Sequence, residues 1–192
     1  MARRRFRTLK IKIMKNSIII ALLLCFSVAS AQEKLVTKNG TTTFEASVPS
    51  FEEVKAKNEN VTCILNTKTG EIASLALIKG FKFKIALMEE HFNENYMEST
   101  RYPKATFRGI LKDFDLKEVT ATPKDFSLKG KLEIHGKSKE ITTIAKIKKT
   151  EKGIEIETNF SVNASDFDIQ IPSVVKNKVS NKINVTNVFV LK

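Results

Sequence analysis

From Lys34 onward the chain alternates between apolar and polar residues. Phe126, Leu128, Gly130, Leu132 and Ile134 share one side of an extended segment, opposite Ser127, Lys129, Lys131 and Glu133. Ile154, Ile156, Thr158, Phe160 and Val162 likewise oppose Glu155, Glu157, Asn159 and Ser161. A period of two with one wet face is the pattern of a sheet that covers a core on one side only. Phe81, Phe83, Ile85 and Leu87 repeat it after Gly80, a residue that permits a bend or bulge.

Turn signals divide these runs. Asn39-Gly40 predicts a hairpin between residues 34–37 and 42–46, because both residues tolerate positive φ. Thr69-Gly70, His135-Gly136 and Lys152-Gly153 separate further pairs of strands, and a last strand covers residues 183–191. Many short strands joined by tight turns predict an all-β fold, an antiparallel sandwich or barrel.

The period changes once. Met88, His91, Phe92, Asn95, Tyr96 and Ser99 fall at helical spacing, so residues 88–99 predict a helix that ends before Tyr102-Pro103. Residues 51–57 predict a second short helix with Ser50 as its N-cap. A helix laid on an antiparallel barrel suggests a covered mouth. Phe44, Phe81, Phe83, Phe107, Phe126, Leu132, Ile156 and Phe160 are the expected apolar lining, with Met88, His91, Phe92 and Tyr96 on the helical cover. The inward stripe has two readings: side chains alone fill a small barrel, or they leave room for one ligand.

The first thirty-one residues read as an export leader. Arg3, Arg4, Arg5, Arg7, Lys10, Lys12 and Lys15 precede an apolar run, and Ala29-Ser30-Ala31 supplies a small-x-small cleavage pattern before Gln32. The run of roughly 12 residues is shorter than a bilayer span. Met14 is an alternative start. The expectation is a cleaved segment 1–31 and one domain over 32–192, secreted or periplasmic, with no integral membrane span in the mature chain. Of the formal net charge of +12, seven positive charges lie in the leader, which has no acidic residue, leaving +5. The remaining lysines mostly alternate along strands, as Lys129, Lys131, Lys146 and Lys148 do, which excludes a nucleic-acid partner as the expected one.

Chemistry-bearing patterns are sparse. With Cys25 in the leader, Cys63 is the mature chain's single cysteine, so no internal disulfide is expected; it reads as a small buried hydrophobe. There is no nucleophile elbow, phosphate-binding glycine loop or zinc-ligand spacing, so no catalytic residue, metal or cofactor is expected. His91 is expected at the barrel rim, His135 exposed or capping in a hairpin turn, and Asp166 and Asp168 on one face of an extended segment as solvated carboxylates.

Three segments resemble the YceI-like family. The first is Leu87-Met88…His91-Phe92-Asn93-Glu94…Tyr102-Pro103-Lys104-Ala105-Thr106-Phe107…Gly109. The second is Gly130-Lys131-Leu132-Glu133-Ile134-His135-Gly136-Lys137-Ser138-Lys139, and the third Phe160-Ser161-Val162…Asp166-Phe167-Asp168-Ile169. The resemblance implies an eight-stranded antiparallel lipocalin-like barrel with helical cover, secreted or periplasmic, in a family where some members enclose a long isoprenoid chain. The chain departs from the pattern at Phe81-Lys82-Phe83-Lys84, at Asp168 where glycine is usual, and at Asn163 and Ala164, where no basic residue stands. The leading expectation is a non-enzymatic carrier of a long-chain isoprenoid, quinone or acyl lipid. The alternatives are a filled barrel acting through its surface in stress response or adhesion, and an enzyme using His91 with a carboxylate.

Overall fold

A computed structural model describes residues 34–192; the expected leader, residues 1–31, and its expected cleavage site lie outside the described residues. Nine strands form one sheet: β1 (Lys34–Ser47), β2 (Lys55–Asn66), β3 (Glu71–Leu77), β4 (Lys82–Phe83), β5 (Lys104–Leu111), β6 (Lys124–Ile134), β7 (Lys137–Thr150), β8 (Gly153–Asn163) and β9 (Val179–Leu191). The order is β1-β9-β8-β7-β6-β5-β3-β2, and β1 pairs again with β2, so eight strands close into an antiparallel barrel. The two-residue β4 adds to β2 beyond the end of β3. Closure removes both sheet edges.

The alternation maps directly onto inside and outside. On β6, Phe126, Leu128 and Leu132 are buried, and on β8 so are Ile154, Ile156, Thr158 and Val162. The expected hairpins at 67–70, 135–136 and 151–153 are present, with Gly70, His135 and Gly136 in the left-handed region that such turns require.

Several expectations change. Asn39-Gly40 is not a hairpin: β1 runs straight through it, with irregular register against β2 on both sides of Gly40. Residues 51–57 form no helix. Ser50 has φ +71°, whereas an N-cap needs extended backbone. The Ala46 amide donates to Val54 O at 2.8 Å, drawing this segment into a loop that feeds β2. Past Gly80 the strand pattern lasts only two residues. A 3-10 turn (Ile78–Gly80) interrupts it first, and Gly80 lies so close to Asn58 that a β-carbon there would come within 2.6 Å of Nδ2. The Glu89 carboxylate then accepts from the Phe83 amide at 3.2 Å and turns the chain back on itself. Helix α1 (Ala86–His91) therefore begins two residues earlier than predicted, and Leu87 is exposed rather than inward. A π-helical turn (Phe92–Tyr96) continues α1, and the helix ends before Pro103 as predicted.

The interior has two ends of different character. At one end, where β2, β5, β7 and β9 finish, Cys63, Leu65, Leu111, Ala145, Ile147, Ile156 and Leu191 are at most 2% exposed. Phe114, Leu116 and Val119, on the loop around a 3-10 turn (Leu116–Glu118), pack against this cluster and seal that end. The other end carries α1, the loop before β2 and the connection from β8 to β9.

Candidate functional site: an apolar cavity under a helix

The second half of the barrel is not filled. A cavity of about 390 Å³ opens toward the end carrying α1. Of the residues expected to line it, Phe44, Phe81, Phe83, Phe107, Leu132 and Phe160 do so from the strands. Met88, His91, Phe92 and Tyr96 line it from α1 and the π turn. Phe126 and Ile156 also point inward but belong to the sealed end and do not line the cavity. The period of two identifies the inward face; depth along the barrel is set by strand register, which the period does not contain.

One wall is a cluster of four phenylalanines. Phe92 stacks on Phe44 at 5.3 Å between ring centres, and Phe83 and Phe81 meet Phe92 at 5.1 and 5.9 Å. These contacts join α1 to β1 and β4, in geometries that aromatic pairs favour. The facing wall is a second apolar cluster, Leu132, Ile141, Val162 and Phe167, with Phe107, Phe160 and Ile183 against it. Ile169, Ile171 and Val175, from the connection before β9, and Val179 at the start of β9 extend the lining; their irregular spacing gave no sequence signal.

The family motif residues serve mostly to hold the mouth. His135 is not an exposed turn residue: its side chain is about one-tenth exposed. Its Nδ1 donates to Phe167 O at 3.0 Å, Nε2 lies 3.3 Å from Glu98, and Tyr102 stacks edge-on at 4.4 Å. One imidazole thus ties together the β6–β7 hairpin, the loop after the π turn and a 3-10 turn (Ala164–Phe167). Asp166 and Asp168 are not on an extended segment. Asp166 lies in that 3-10 turn, where it accepts from the Asn163 amide and pairs with Lys139, and both interactions hold its carboxyl below the usual range. Asp168 closes the turn at φ +56° and pairs with Lys137 at 2.7 Å. The left-handed backbone explains why glycine suits this position.

Titratable groups contribute little to the cavity. His91 is exposed and has no hydrogen-bond or ion-pair partner among the described residues. Tyr96 has its phenol pushed up by burial. Among the described residues no group of three or more His, Cys, Asp or Glu could hold a metal. No described helix is long and apolar enough to cross a membrane.

A closed eight-stranded antiparallel barrel, sealed at one end and holding an apolar cavity under a short helix at the other, is the class of protein these features define. The YceI-like domain matches residues 27–191, and the chain belongs to the YceI-like family. Solved structures show the same fold. A polyisoprenoid binding domain from Saccharophagus degradans, implicated in plant cell wall breakdown, matches with TM-score 0.71 at 14% identity, over 83% of this chain and 98% of that one. BcnA of Burkholderia cenocepacia matches with TM-score 0.65 at 12% identity, over 79% and 96%. The YCEI protein of Campylobacter jejuni matches with TM-score 0.59 at 19% identity, over 76% and 87%. At these identities the likeness is one of fold. Comparison with curated protein sequences finds no match.

Proposed function

We propose that this barrel is a non-enzymatic binding protein that holds one long apolar chain, a polyisoprenoid, quinone or acyl lipid. The observation that carries the reading is the unfilled half of the barrel. Its volume of about 390 Å³ is that of a ligand pocket, and most of its lining residues are Phe, Ile, Val, Leu and Ala. Each methylene transferred from water to such walls contributes about 0.8 kcal/mol, so a long tail binds without a charged clamp. The Saccharophagus degradans neighbour, named for polyisoprenoid binding, supports the same reading. The cavity counts against a filled barrel acting only through its surface. The isolation of His91 counts against an acid–base enzyme.

The test is solvent extraction of the protein purified from bacterial cells, followed by mass spectrometry. A stoichiometric prenyl or acyl species is expected, and Phe92→Asp, which sets a carboxylate among the four rings, should abolish it without altering the strand signal in circular dichroism. Protein that carries no lipid, and takes up neither quinones nor fatty acids at micromolar concentration, would overturn the reading.

The same proposal includes export to the periplasm or beyond, supported by the basic and apolar leader and Ala29-Ser30-Ala31. Intact mass of the exported protein should correspond to a chain that starts at Gln32; a mass that retains residues 17–31 sinks this part.

A further inference from the structure

Among the polar residues on the cavity wall, which also include Ser74, Thr106 and Thr143, three form a hydrogen-bonded row where apolar residues would pack as well. Thr42 on β1, Asn187 on β9 and Thr158 on β8 stand directly opposite one another across adjacent strands, and all three line the cavity. Their neighbours on the same inward face are apolar: Phe44, Val185, Phe189, Ile156 and Phe160. The Thr42 hydroxyl donates to Asn187 Oδ1 at 2.6 Å, and Asn187 Nδ2 donates to Thr158 Oγ1 at 3.0 Å.

The hydrogen-bond inventory of the row does not close. An asparagine amide has two N–H donors and a threonine hydroxyl has one. The second Asn187 N–H and the Thr158 O–H have no acceptor among the described residues. Thr158 is only 4% exposed and stands among the residues that line the cavity. Leaving a buried donor unpaired is costly, whereas valine at Thr158 would carry no such cost. A row that begins with its own bonds satisfied and ends in unspent donors is built to receive an acceptor.

The acceptor is uncharged. No cation stands in the row, and the basic residues that line the cavity, His91 and Lys178, are both exposed at its mouth. Lys178 adjoins the start of β9, and the stretch from Val179 to Asn187 lies opposite Thr42 to Ser47 on β1, five steps or roughly 17 Å of strand. A phosphate or carboxylate at the row would be buried without a counter-charge, at a penalty that one hydroxyl and one amide do not offset.

Resting on the carrier reading above, we propose that Thr158 and Asn187 form the recognition site for a neutral carbonyl-type oxygen on the lipid, such as that of a ketone, quinone, ester or amide. The lipid enters polar end first. Its hydrocarbon tail then runs back between the phenylalanine cluster and the facing wall toward α1.

The experiment compares two probes of equal length, a long-chain methyl ketone with a carbon-13 carbonyl and the corresponding n-alkane, each displacing a fluorescent acyl probe from the protein. Thr158→Val should lower the ketone-to-alkane affinity ratio about tenfold, the equivalent of one neutral hydrogen bond. Thr158→Ser should restore the ratio. In the infrared, the labelled carbonyl band should sit at a hydrogen-bonded frequency in the parent protein and Thr158→Ser, and at a hydrocarbon-like frequency in Thr158→Val. If the parent binds both probes but neither ratio nor band responds to Thr158→Val, the row holds only water and the inference falls while the carrier reading stands. If neither probe nor any acyl ligand binds the parent, both fall.

Discussion

The ring of Phe189 lies directly on Gly40. A β-carbon at position 40 would overlap Phe189 Cδ1 and come within 2.8 Å of the Val61 carbonyl oxygen. Glycine is present because the ring and the neighbouring strand occupy the space of a side chain. Gly40→Ala should therefore cost about 1–3 kcal/mol, the range for overpacking a core. Urea unfolding measures it, and Phe189→Leu in the same chain should recover part of the loss. A Gly40→Ala protein as stable as its parent would refute the contact.

Two inward phenylalanines should behave differently. Phe126 is 4% exposed within the sealed cluster, so Phe126→Ala should destabilise by about 3–5 kcal/mol. Phe160 lines the cavity and already lacks packing on one side. Phe160→Ala should cost well under half as much in denaturant unfolding and appear mainly as weaker lipid retention. Equal losses from the two would mean that the cavity is closed in solution.

Cys63 is fully buried, and burial pushes its thiol up to about 12 against a hydrogen bond with the Ile64 backbone that lowers it. The folded protein should leave Cys63 unlabelled by a thiol reagent until denaturant is added, as read by peptide mass spectrometry. The folded pKa is raised, so the contribution is fully present below the ordinary value of 9.0 and is lost as pH rises toward about 12. Cys63→Ala should flatten that alkaline loss in a pH series of unfolding curves.

The Lys139 ammonium holds the Asp166 carboxyl below its ordinary 3.8, so the pair favours the fold above that value and the benefit is lost as pH falls through the lowered one. Lys139→Met should return the Asp166 titration, followed by carboxyl carbon NMR, toward 3.8. A titration that does not move would show that the Asn163 amide alone sets it.

The barrel was legible because each wall strand has one wet face, as β6 and β8 show. What the sequence did not disclose follows from contacts between distant residues. Asn39-Gly40 carries the local signature of a turn, yet Gly40 answers to Phe189, almost 150 positions away. Residues 51–57 hold apolar positions that suit either period, and the pairing of Glu45 with Lys55 decides for a loop that enters a strand at Lys55. Ile85 and Leu87 continue an alternation that Glu89 ends by capping the Phe83 amide. His135 sits in a turn by sequence but is buried by Glu98, Tyr102 and Phe167, none of them local. Of the cavity, ten of twelve expected residues stand on its wall, while Phe126 and Ile156 belong to the sealed end. Thr158 was visible as an inward polar residue; its partners Thr42 and Asn187 become neighbours only through barrel closure.

The division of the barrel into a packed end and an open end separates two kinds of selection. Residues such as Leu65, Ile147 and Leu191 are constrained by the requirement to fold, while Phe160, Val185 and Thr158 line the cavity and, on the carrier reading proposed above, are constrained by what enters it. On that reading, substitutions at the open end change the cargo while leaving the foundation intact. The same architecture recurs in solved structures only 12–19% identical to this chain.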